Sequence, residues 1–114
     1  MKKMLFALIL LPSLSNASIY NCNGSGFAIE VTANPLEMKI IGNNINAMAQ
    51  NVRMSLRFDT VVSGNLSSPE ATVKMTIKDS NFGSPGDIFK ATLDFFSITG
   101  SKNITGINCI RGND

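Results

Sequence analysis

Arg53-Met54-Ser55-Leu56-Arg57-Phe58-Asp59 alternates without a break: Met54, Leu56 and Phe58 interleave with charged or hydroxyl residues. A period of two puts successive side chains on opposite faces, so this stretch is a half-buried β-strand. The same pattern recurs on either side of it. Phe27, Ile29 and Val31 alternate with Glu30 and Thr32, Leu36, Met38 and Ile40 with Glu37 and Lys39, and Val73, Met75 and Ile77 with Thr72, Lys74, Thr76 and Lys78. Phe89, Ala91, Leu93 and Phe95 alternate with Lys90, Thr92, Asp94 and Phe96. The apolar sets are the expected inward faces, and they place Phe95 inward and Phe96 outward.

Between these runs lie the Gly, Asn and Pro residues that turns require: Asn23-Gly24-Ser25-Gly26, Asn34-Pro35, Gly42-Asn43-Asn44, Ser63 to Pro69, Asn81 to Asp87, and Thr99 to Asn103. With the weaker segments Ile19 to Cys22, Ile45 to Gln50 and Thr105 to Arg111, the reading gives an all-β domain of eight strands. Short connections make neighbours in sequence pair as an antiparallel meander. The edges of such a meander need closing. The expectation is a small eight-stranded barrel, or its flattened sandwich version, with an interior filled by its own side chains.

The cysteines supply the closure. Cys22 stands near the start and Cys109 near the end, and they are the chain's two cysteines. In an oxidising compartment one disulfide between them joins the first strand to the last. On the chain-entropy account a closed loop of that length contributes about 4 to 5 kcal/mol.

Residues 1–17 read as a secretory signal peptide. Lys2 and Lys3 open it, Leu5 to Leu11 is an apolar run ended by Pro12, and Ser15-Asn16-Ala17 offers small residues before a cut. The apolar stretch is too short to span a bilayer. Residues 18–114 then form one domain without stable membrane insertion. The short lysine-led signal points to the bacterial periplasm. Cleavage removes two of the 10 basic residues and leaves the mature chain as basic as it is acidic, against 8 acids in the whole sequence. Its charges are scattered, which removes the electrostatic basis for nucleic-acid binding.

The chemistry of catalysis is thin. The chain has no His, which rules out Ser-His and Cys-His pairs, and it has neither a nucleophile elbow nor a phosphate-cradling glycine loop. Glu30 with Glu37, and Asp59 with Asp94, are paired carboxylates that read as solvated outer faces beside Lys or Arg. Asp79, Asn81 and Asp87 bear oxygens in one long connection but lack the order and the bidentate Glu of a calcium loop. The expectation is a non-enzymatic module with no cofactor and no metal, presenting loops to a protein or envelope component, or alternatively a barrel holding a small apolar ligand. The candidate contact residues are Phe82 on the loop 81–87, Phe96 on an outer strand face, and Ser63 with Gly64 in the connection to Pro69. Ile41 and Val61 are out of phase with their strands and would join Phe96 in an outer apolar patch.

Tyr20-Asn21-Cys22, Asn108-Cys109 and a lone terminal disulfide around a small β-barrel resemble the layout of periplasmic C-type lysozyme inhibitors. In that family a Ser-Gly-x-x-Tyr loop enters the lysozyme cleft. Ser63-Gly64-Asn65-Leu66-Ser67 matches its first two positions and carries Ser67 at the tyrosine position. What the resemblance implies is an inhibitor that makes its contacts through Ser63 and Gly64.

Overall fold

The computed structural model describes residues 18–33, 35–67, 70–80 and 83–112. The proposed signal peptide lies outside the described residues. The described residues are all-β, with nine antiparallel strands: β1 (Ser18–Gly24), β2 (Phe27–Thr32), β3 (Glu37–Gly42), β4 (Ile45–Met48), β5 (Gln50–Leu56), β6 (Thr60–Ser67), β7 (Glu70–Ile77), β8 (Ile88–Ser97) and β9 (Gly100–Arg111). They form one sheet in the order β4-β3-β2-β1-β9-β8-β7-β6-β5, a meander that rolls into a nearly closed barrel. The first and last strands meet as the cysteine spacing requires. Cys22 and Cys109 are register partners across β1 and β9 and are joined by the disulfide.

Turn chemistry fixes the hairpins. Ser25 and Gly26, and likewise Asn43 and Asn44, hold positive φ at both central positions, the conformation that matches the twist of flanking strands. β9 carries a bulge where Gly106, at φ 80°, interrupts the register between Ala91 and Leu93 of β8. The shift lets Lys102 and Ile104 share one face with Phe95 and Leu93, and Ile107, Cys109 and Arg111 continue it.

The strand count exceeds the sequence reading by one because Ser63 to Pro69 is not a loop. Thr60 to Ser67 is strand β6, with Thr60, Val62, Gly64 and Leu66 buried and the residues between them facing out. Gly64 belongs to the inward series, where it reads as a turn former only in isolation. A Cβ there would lie 2.9 Å from the Ala49 Cβ and 3.1 Å from the Gln50 carbonyl oxygen, so the glycine is a point of close approach. What approaches is the junction of β4 and β5, separated by Ala49 alone. β4 pairs with β3 and β5 with β6, and Asn51, at φ 55°, sits at a register shift in the second pairing. Ile45 to Leu56 is in effect one strand that bends and exchanges partners.

The core is filled by apolar side chains. Ile29, Val31, Met38, Ile40, Val62, Val73, Met75, Ile77, Leu93 and Ile107 are buried through the middle of the barrel. Leu36, Met54, Phe89 and Phe95 of the expected inward set are half-buried against this core, and two members are exposed: Leu56 at 56% and Phe58 at 70%. They keep the right phase, but β5 ends at Leu56 and the bend to β6 begins, so they overrun the core at that end.

Candidate functional site

The two ends of the barrel differ. One end, carrying the β2–β3, β5–β6 and β7–β8 connections together with Ser18 and Gly112, is closed over by the β7–β8 connection. The β7–β8 connection is strapped to β9: the amide of Gly86 donates to the Arg111 carbonyl at 2.8 Å, and the amide of Arg111 to the Asp87 carbonyl at 2.9 Å. Gly83 lies on the Phe89 ring so closely that a Cβ would fall within 1.9 Å of it. Beneath, Ser80 is fully buried. Its Oγ accepts from the Thr60 amide at 3.1 Å and stands 2.6 Å from Thr60 Oγ1 and 3.0 Å from the Ile77 carbonyl. The Arg111 guanidinium lies over the Tyr20 ring, 5.5 Å from its centroid. Asp87, an imagined calcium ligand, instead accepts from the Ser84 amide. No cluster of His, Cys, Asp or Glu fit for a metal is assembled among the described residues.

The opposite end is open. There the β1–β2, β3–β4, β6–β7 and β8–β9 hairpins surround a cavity of about 1350 Å³. Its floor is apolar and drawn from four strands: Phe27, Ile45, Leu66 and Phe95, with the Phe27 and Phe95 ring centroids 5.7 Å apart. Below it the barrel is packed, so the space is a cup over a filled core. Neutral amides and hydroxyls line the rim, together with Glu70 and Lys102. At its edge the β8–β9 hairpin ends in Ile98, which is fully exposed, and Phe96 is 46% exposed beside it.

The residues singled out from sequence are distributed unevenly about this end. Phe96 does point outward, opposite Thr72 and Ser101, while Phe95 turns into the cup. Ser63, opposite Lys74, is half-buried on the same outer wall, about 12 Å from Phe96 by strand and residue spacing. Gly64 is inside the wall and has no side chain to present. Ser63 to Ser67 therefore form strand where an inhibitory loop would need them free. Phe82 lies outside the described residues. The supposed outer patch does not assemble. Val61 faces Thr76, four residues along β7 from the partner of Phe96, and Ile41 lies on β3, on the far side of β1 and β9. The paired carboxylates are engaged on the surface: Glu30 with Ser18, Asp59 with the Asp79 amide, Asp94 with Asn103.

Sequence reasoning missed the cup because Phe27 and Phe95 come from separate alternating runs, Ile45 from a weaker segment and Leu66 from a stretch read as a connection. One signal was available. Ile98 is a β-branched residue inside a tight connection, where such residues are unfavourable and fully exposed ones need another reason. No protein-family model matches the chain, and neither a curated protein nor a solved structure is similar to it.

Proposed function

We propose that the protein is a non-enzymatic binding module of the secreted or periplasmic space, holding a protein or envelope partner at the open end of its barrel. One observation carries the reading: Ile98 and Phe96 stand in solvent at the rim of an apolar cup, while the other end is closed by a hydrogen-bonded loop. Exposed apolar side chains stand at the other end too, among them Leu56, Phe58, Ile88 and Ile110; Ile98 and Phe96 differ in bordering a cavity with an apolar floor, the arrangement that marks an interaction surface. A large side chain in such a centre carries about 2 kcal/mol or more of binding when truncated. The rim chemistry suits recognition, since its amides and hydroxyls both donate and accept. The buried terminal disulfide fits an oxidising compartment and a rigid scaffold.

A photo-crosslinking residue placed at Ile98 or Phe96 in cells of the native host should yield discrete adducts. The same residue at Lys90 or Ser55, on the outer wall away from the cup, should yield none. Adducts that favour the wall positions, or no adduct at the rim, would overturn the assignment.

The cup favours a second reading, a small apolar ligand seated over the packed rings of Phe27 and Phe95. Native mass spectrometry of protein from its own host would then record a bound mass. A ligand-free spectrum would remove this reading and leave the first untouched.

A further inference from the structure

The barrel wall is incomplete at one place beside the cup. Where Ile45 to Leu56 exchanges β3 for β6, β4 is left, among the described residues, with a strand on one side only. β6 meanwhile continues past the Gln50–Asn65 pair through Leu66 and Ser67, paired with β7 on one side and, among the described residues, with no strand on the other. The direction of the free backbone groups follows from the ladder. The Ala49 amide donates to the Met38 carbonyl at 2.9 Å. Groups alternate sides along an antiparallel strand, so Ala47 and Ile45 also turn toward β3, opposite Ile40 and Gly42. Asn46 and Met48 then aim their amides and carbonyls into the opening.

An unpaired strand edge is ordinarily blunted by a charge, a proline or a bulge. β5 is guarded in this way, by Arg53 and by the register shift at Asn51. β4, Ile-Asn-Ala-Met, has none of these devices. Its inward residue Ile45 borders the floor of the cup.

We propose that the β4 edge is a docking site for an extended peptide strand of a protein partner. The peptide adds antiparallel to β4 and lays alternate apolar side chains over the cup, between Ile45, Leu66 and Phe95. The proposal rests on the open end being the binding end and names what binds there. The occupant follows from the free groups. Two amides and two carbonyls repeated at every second residue are matched by another extended backbone, which carries the same groups at the same interval. A glycan or an acyl chain carries no such alternation. The apolar floor beside the edge selects for apolar residues at every second position of the guest.

Random linear peptides displayed on phage supply the probe, selected on the purified mature domain. Selected sequences should alternate in hydrophobicity. Asn46→Pro deletes one amide that faces the opening and no hydrogen bond to β3, so its melting point should stay near the parent's. It should weaken a selected peptide about tenfold or more, where Asn46→Ala leaves affinity within about twofold. Methylating the backbone nitrogens of the peptide at alternate positions should abolish binding in one phase and spare it in the other. Peptides that bind Asn46→Pro as tightly as the parent, that ignore backbone methylation, or that cannot be selected would overturn the proposal. So would dimerisation of the parent in sedimentation that Asn46→Pro abolishes, which would assign the edge to a second copy. If Ile98 crosslinks a partner while Asn46→Pro has no effect on peptides, binding at the open end stands and strand addition falls. If Ile98 crosslinks nothing, both fall.

Discussion

Gly64→Ala tests whether the β4–β5 junction seats against β6 as described. The added Cβ would stand 2.9 Å from the Ala49 Cβ, 3.1 Å from the Gln50 carbonyl oxygen and 3.4 Å from Val52 Cγ2. The first two are attached to a backbone held by the Ala49 to Met38 hydrogen bond and by pairing of Gln50 with Asn65, so relief requires the junction to move. Overpacking of this kind costs about 1 to 3 kcal/mol. Loss of glycine's freedom in the unfolded chain offsets about 0.4 to 1 kcal/mol of it. The net destabilisation then lies between about 0 and 2.6 kcal/mol, with a midpoint of about 1.3 kcal/mol or roughly 5 to 10 °C in melting temperature for a domain of this size. Circular dichroism melts and urea titration of the parent, Gly64→Ala, Ala49→Gly and the double variant supply the measurement. Removing the Ala49 Cβ takes away the nearest atom, so the pair should couple favourably by about 0.5 kcal/mol or more. Strictly additive effects in the double variant would refute the close approach and with it the partner exchange that opens the wall.

Three further outcomes follow from the packing. Phe95→Ala, at a half-buried position against Phe27, should cost roughly 2 to 4 kcal/mol, somewhat below a fully buried phenylalanine, while Phe96→Ala should stay within about 0.5 kcal/mol in the same denaturant assay. Ser80→Ala strips the buried Thr60 amide and hydroxyl of their partner and should cost about 1 to 3 kcal/mol in thermal melts, loosening the sealed end. The unreduced protein should read two hydrogens lighter than the reduced form by mass spectrometry, and replacing both cysteines by alanine should lower stability by about 4 to 5 kcal/mol; two free thiols would contradict the covalent closure of β1 on β9.

The alternation in Phe27 to Val31, Val73 to Ile77 and Phe89 to Phe95 was legible because each strand is buried on one face and solvated on the other. The cysteine positions made barrel closure legible as well. Strand β6 was not, because Gly64-Asn65 and Ser67 are turn formers wherever nothing presses on the backbone, and what presses on Gly64 is a junction fifteen residues earlier in the chain. Leu56 and Phe58 show a related limit: phase tells which face a residue takes and says nothing of where the core stops. The cup and the free edge were the least legible features. Both depend on which strand β4 leaves and which β5 joins, and that choice is made by side chains distant in sequence, with Asn51 in the left-handed region as its local trace.

Hydrogen exchange at the backbone amides of Ile45 to Ala49 tests the central claim most directly, because it reads the edge in the free protein and in complex with a selected peptide. The amides of Asn46 and Met48 should exchange fast, and those of Ala47 and Ala49 slowly, with the peptide slowing the first pair and leaving the second unchanged. Slow exchange at Asn46 and Met48 in the free domain would mean that the wall is closed there. Protection that appears on binding only elsewhere in the barrel would contradict docking at the β4 edge.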